Sequence, residues 1–108
     1  MIEYPLLGYP LSRIDNLRVS KSVFTDHYAE FLRQIIEARK TVGLTQVQLS
    51  KRLMKPQSFV SKYENGERRL DIIEFLQITG AMQIDPVFFL KKLVGSLEAI
   101  KPKPEKRK

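Results

Sequence analysis

The chain has 108 residues, 43% hydrophobic and 29% charged, with no cysteine and a formal net charge of +7. That size suits one compact domain with tails, and no apolar run approaches the roughly 18–20 residues that cross a bilayer. A chain without cysteine forms no disulfide or thiolate zinc site and fits a cytoplasmic setting. Residues 1–10 lack a cationic start and hold two prolines, unlike a secretory signal.

The charge is uneven. Residues 45–70 carry six basic groups against two acidic ones, and residues 101–108 carry five against one, whereas residues 71–100 are net acidic. Such concentration suits a polyanionic partner or, equally, a solvated basic surface. Enzyme classes fail on inventory. There is one histidine, His27, no clustered carboxylates and no glycine-rich phosphate loop, so neither a catalytic set nor a cofactor or metal site is expected. His27 itself is expected to be solvent-exposed.

In chain order, residues 1–25 read as an irregular arm. Tyr4-Pro5-Leu6 recurs as Tyr9-Pro10-Leu11, prolines at that spacing exclude a helix, and residues 17–24 alternate like a short strand or extended segment. From Asp26 the period becomes helical: Tyr28, Phe31, Leu32, Ile35 and Val42 share a face, with Thr25 or Asp26 as N-cap and Gly43 at the C-terminal glycine position. The next helix opens on a Thr45/Gln48 capping box, with Val47, Leu49 and Leu53 apolar, and Met54-Lys55-Pro56 interrupts it. A short helix follows to Asn65, with Val60 and Tyr63 inward and Asn65-Gly66 as its stop. A fourth opens on an Asp71/Glu74 capping box and runs through Ile72, Phe75, Leu76, Ile78 and Met82. Asp85-Pro86 starts a fifth, ending near Leu97. Phe88, Phe89, Leu90 and Leu93 are more apolar than one helix face needs, which points to a dimer contact. The tail, residues 99–108, is expected to be basic and disordered.

Two short helices around a tight break, the second closed by Asn-Gly, suggest a helix-turn-helix. The stretch Gly43-Leu-Thr-Gln-Val-Gln-Leu-Ser-Lys-Arg-Leu53, joined to Pro56-Gln-Ser-Phe-Val-Ser-Lys-Tyr-Glu-Asn-Gly-Glu-Arg-Arg69, closely resembles the Cro/phage-repressor (Xre) type of helix-turn-helix regulators, a likeness spanning residues 28–94. It implies an all-α, five-helix bundle of the lambda-repressor-like DNA-binding type over residues 26–98, with a recognition helix at 57–65. It also implies a site. Gln57, Ser58 and Lys62 would face base edges, with Phe59 either touching a thymine methyl or tucking against the fourth helix. Gln46 would grip a phosphate at a helix N-terminus, Ser61, Asn65, Arg68 and Arg69 would flank the groove along the backbone, and Lys55 would add diffuse positive charge. Arg39 and Glu64 match a family ion pair that braces the recognition helix.

Two departures concern the turn: Met54 stands where glycine is common, and Pro56 where a serine or threonine N-cap is common. The function implied is a prokaryotic, cytoplasmic regulator, most simply a repressor, binding a palindromic operator in double-stranded DNA as a homodimer. A second reading is an antitoxin or accessory regulator holding a protein partner through the N-terminal arm, and a third is a nonspecific nucleic-acid coat.

Overall fold

The computed structural model describes residues 21–100, which form five helices: α1 Lys21–Thr41, α2 Gln46–Leu53, α3 Gln57–Glu64, α4 Ile72–Met82 and α5 Pro86–Ala99. No strand occurs among the described residues. The expectations for residues 1–20 and for the basic tail from Lys101 lie outside them.

Each break between helices has a local cause. Gly43 takes φ +82°, its N–H donates to the Lys40 carbonyl and the Leu44 N–H to the Arg39 carbonyl, so the end of α1 is a Schellman closure. Thr45 Oγ1 accepts from the Gln48 N–H at 3.0 Å while Gln48 Oε1 accepts from the Thr45 N–H at 2.9 Å, the reciprocal box that starts α2. Asp71 and Glu74 repeat that geometry at the start of α4. Asp85 caps α5 ahead of Pro86 by accepting from the Val87 N–H.

The core gathers Ile35, Leu44, Leu49, Val60, Tyr63, Phe75, Ile78, Met82, Phe89 and Leu93, drawn from all five helices and the α1–α2 turn. The rings of Phe31, Phe75 and Phe89 meet at centroid separations of 5.3–6.1 Å and join α1, α4 and α5. Helix α2 packs against α3 and α4, and α1 against α5.

Several expectations change here. Helix α1 begins at Lys21, so residues 21–24, read as a strand or extended arm, are helical, and neither Thr25 nor Asp26 is an N-cap. The first helix thus opens before residue 26, and α5 ends at Ala99 with a half-buried Ile100 as its C-cap. Alternation over so few residues cannot outweigh the helix that continues behind them. Val42 and Val47, placed on apolar faces, are exposed, as are Ile72 and Leu76. Val42 falls just beyond the last turn of α1, and α4 turns Phe75, Ile78, Thr79 and Met82 inward instead. His27 is half-buried, with Nε2 3.4 Å from the Ile100 carbonyl oxygen, so it lies at the α1–α5 junction and not in open solvent.

Candidate nucleic-acid interface

Helices α2 and α3 are joined by Met54-Lys55-Pro56, and Met54 makes the sharp reversal by adopting φ +59°, ψ +42°. Its N–H donates to the Lys51 carbonyl and the Lys55 N–H to the Ser50 carbonyl, closing α2 as a glycine would. A side chain in this left-handed region costs about 1 kcal/mol, and the thioether, 89% exposed, makes no packing that offsets it. Pro56 sits at φ −66°, ψ +154° without a side-chain cap; its fixed φ suits the residue before a helix, and the carbonyl of Pro56 accepts from the Phe59 N–H.

The turn leaves α3 with two different sides. Val60 and Tyr63 point into the core, and burial pushes the Tyr63 phenol well above its usual range. Gln57, Ser58 and Lys62 are exposed, as the spacing predicts for a face that reaches a groove. Ser61 is half-buried and Asn65, at the C-cap, is exposed.

Beneath that face lies a chain of hydrogen bonds. Arg39, 8% exposed on α1, donates through Nε to Glu64 Oε2 at 2.8 Å, through Nη2 to Glu64 Oε1 at 3.0 Å, and through Nη1 to the Leu44 carbonyl at 2.9 Å. Gln46 Nε2 donates to the same Glu64 Oε1 at 2.9 Å, and Gln46 Oε1 accepts from Gln57 Nε2 at 3.3 Å. Arg39 and Glu64 therefore meet as the brace that the sequence suggests. Gln46 extends the brace to the first residue of α3, a link that sequence reading missed because Gln46 and Gln57 lie 11 residues apart with no shared periodicity. The amide of Gln46 is thus committed inward, and what it leaves for an anion is its backbone N–H in the first turn of α2.

Three other predicted residues are placed differently. The Phe59 ring is half-buried and meets Tyr63 of its own helix edge-on at 5.5 Å, with Lys55 Nζ 5.1 Å from its centroid. Arg68 is held by Glu74 at 2.9 and 2.7 Å and lies 4.9 Å over the Phe59 ring. Arg69 lies 4.1 Å over the Tyr28 ring, while the Tyr28 hydroxyl accepts from the Leu70 N–H at 3.3 Å.

Two stacked helices, a buried brace and an exposed polar helix face beside a concentration of positive charge define a DNA-binding helix-turn-helix domain. The helix-turn-helix family model matches residues 35–89. Among solved structures, an XRE-family like protein from Pseudomonas syringae pv. tomato is 45% identical, with a TM-score of 0.66, over 76% of this chain and 95% of that one. No curated protein matches. The chain belongs to the Xre family of helix-turn-helix proteins, a class of DNA-binding transcriptional regulators.

Proposed function

We propose that the chain reads double-stranded DNA in a sequence-specific manner through α3, with Gln57, Ser58 and Lys62 at base edges of one major groove. The observation that carries this is the run Arg39–Glu64–Gln46–Gln57, which ties the exposed end of α3 to α2 and α1. A helix held in this way presents its side chains in one orientation, and discrimination by bidentate contacts depends on such orientation. Gln57 suits the donor–acceptor pair of adenine and Lys62 the acceptors of guanine, while Ser58 accepts either. The backbone N–H of Gln46, with Asn65, Ser61 and Lys55, lies where phosphates would pass.

Three reading side chains cover too few base pairs for a unique site, so the simplest regulator is a homodimer on a palindromic operator, acting as a repressor. Val87 and Phe88, 62% and 64% exposed at the start of α5, supply apolar area for such a contact. Phe88→Lys is then expected to sediment as a monomer where the natural chain sediments as a dimer; an unchanged dimer would move the contact elsewhere.

Selection from a random duplex library tests the reading. The natural chain is expected to enrich one sequence, and Gln57→Ala with Lys62→Ala to lose about 30-fold or more in preference for it over random DNA, at about 1–3 kcal/mol for each of the two bidentate contacts. An unchanged preference would remove these residues from the reading face.

A further inference from the structure

The loop between α3 and α4, residues 65–71, carries Arg68 and Arg69 directly after the recognition helix, where cations are expected to reach DNA phosphates. The geometry here turns Arg68 to another task. Its Nη1 and Nη2 donate to the two carboxylate oxygens of Glu74 at 2.9 and 2.7 Å, a forked, charge-assisted pair, and Nη1 also lies 3.2 Å from the Arg69 carbonyl oxygen. Glu74 is in turn part of the α4 N-terminus, because its Oε1 accepts from the Asp71 N–H at 3.0 Å. The same guanidinium lies 4.9 Å from the centroid of Phe59, in the first turn of α3, and Phe59 leans on the buried Tyr63 at 5.5 Å.

We infer that Arg68, Phe59 and Glu74 form a clamp that positions the recognition helix against the start of α4, and that Arg68 sets DNA specificity through this clamp without binding a phosphate. The inference rests on the DNA-reading role of α3 proposed above. The brace from Arg39 and Gln46 holds α3 through Glu64 and Gln57, and the clamp holds another side of the helix through Phe59. Together they remove the rocking that would let Gln57 and Lys62 accept several registers.

Two physical arguments favour a clamp over a phosphate ligand. A guanidinium paired with a carboxylate presents little net charge to the backbone, so it releases few counterions from DNA. Reaching a phosphate would also mean giving up both forked hydrogen bonds and the ring contact at once, exchanging one anion for another with no gain in charge pairing. Arg69, lying over Tyr28, holds the other flank of the loop to α1.

The test uses the full-length chain, its selected duplex and a random duplex, titrated with salt. Arg68→Gln removes the cation, and Phe59→Leu removes the ring but keeps apolar volume. Glu74→Gln removes the anion, yet glutamine at this position still completes a capping box, so α4 keeps its start. Each is expected to lower the preference for the selected site roughly tenfold, and Arg68→Gln with Glu74→Gln together to do no more than the worse single change, as for partners in one contact. The dependence of log K on log salt is expected to stay as in the natural chain. Two results would overturn the clamp. One is that Arg68→Gln takes about one contact off the salt slope and weakens both duplexes alike. The other is that Glu74→Gln tightens binding with a steeper slope by releasing the arginine. Loss of preference with loss of fold is recognised by circular dichroism, and Phe59→Leu is the variant then relied on. A natural chain that shows no preference would sink the DNA reading itself, whereas unaltered preference in the variants of a discriminating chain would sink only the clamp.

Discussion

Two arginine–glutamate pairs lie against α3 in different surroundings. Arg39–Glu64 is enclosed, its side chains 10% and 4% exposed, while Arg68–Glu74 is open on one side at 41% and 17%. The enclosed pair has lost nearly all its water and gains further partners in compensation, since the Leu44 carbonyl accepts from Arg39 Nη1 and Gln46 Nε2 donates to Glu64 Oε1. The open pair keeps water and leans on an aromatic ring. The difference teaches that similar chemistry does two jobs: a buried pair is costly to break because either charge alone is stranded, whereas an open one mainly orients what it joins.

That contrast is exposed to experiment in order of size. Arg39→Ala leaves the Glu64 carboxylate buried beside only Gln46, so urea unfolding is expected to show a loss of about 3–5 kcal/mol; a loss no greater than that of an exposed pair would erase the distinction. Acid comes next. The Arg68 guanidinium and then the Asp71 N–H hold the Glu74 carboxyl down at about 2, and Arg33 with Gln34 holds Glu30 at about 2, against the ordinary 4.5. Because both folded-state values lie below the unfolded ones, the stabilisation is present above about pH 4.5 and disappears as pH falls towards 2. The urea midpoint is therefore expected to drop through that interval, and Glu74→Gln to flatten part of the drop; an unchanged profile in the variant would show the pair to be idle. The smallest effect is expected from Arg33→Ala, whose side chain is 60% exposed although it pairs with Glu30 at 2.8 Å. Its melting temperature at neutral pH should fall only slightly below that of the natural chain, because water screens an exposed pair, and a fall comparable to that of Arg39→Ala would mean that enclosure is not what separates the pairs.

Much of the helical scaffold was legible residue by residue. The boxes at Thr45/Gln48 and Asp71/Glu74, the Gly43 closure, the Asp85 cap and Met54 as the strained turn are short-range features, each set by residues within five positions of one another. Gln83 was not legible. It ends α4 at φ +61°, and nothing in a glutamine side chain announces a left-handed backbone; the turn into Ile84 and Asp85 imposes it. The exposed polar face of α3 was also legible, because Gln57, Ser58 and Lys62 fall outside the Val60/Tyr63 stripe. Phe59 was the ambiguous member, since an aromatic ring at that position serves either a groove or a neighbouring helix, and the fold sets it half-buried beside Tyr63 of its own helix and Arg68 of the following loop.

From sequence alone came the last four helices with their N-terminal caps, the tight turn and the exposed polar face of α3. These follow from hydrogen bonds within one turn and from a period of 3.6 residues, both of which act along the chain. Tertiary structure decided which apolar residues are spare: Phe89 is buried while Phe88 is exposed, and Phe75 is buried between the exposed Ile73 and Leu76. It also decided where the cations point, with Arg68 turned to Glu74 and Arg69 to Tyr28. A long charged side chain can reach many places from one backbone position, so its destination depends on which carboxylate or ring the fold brings within its length.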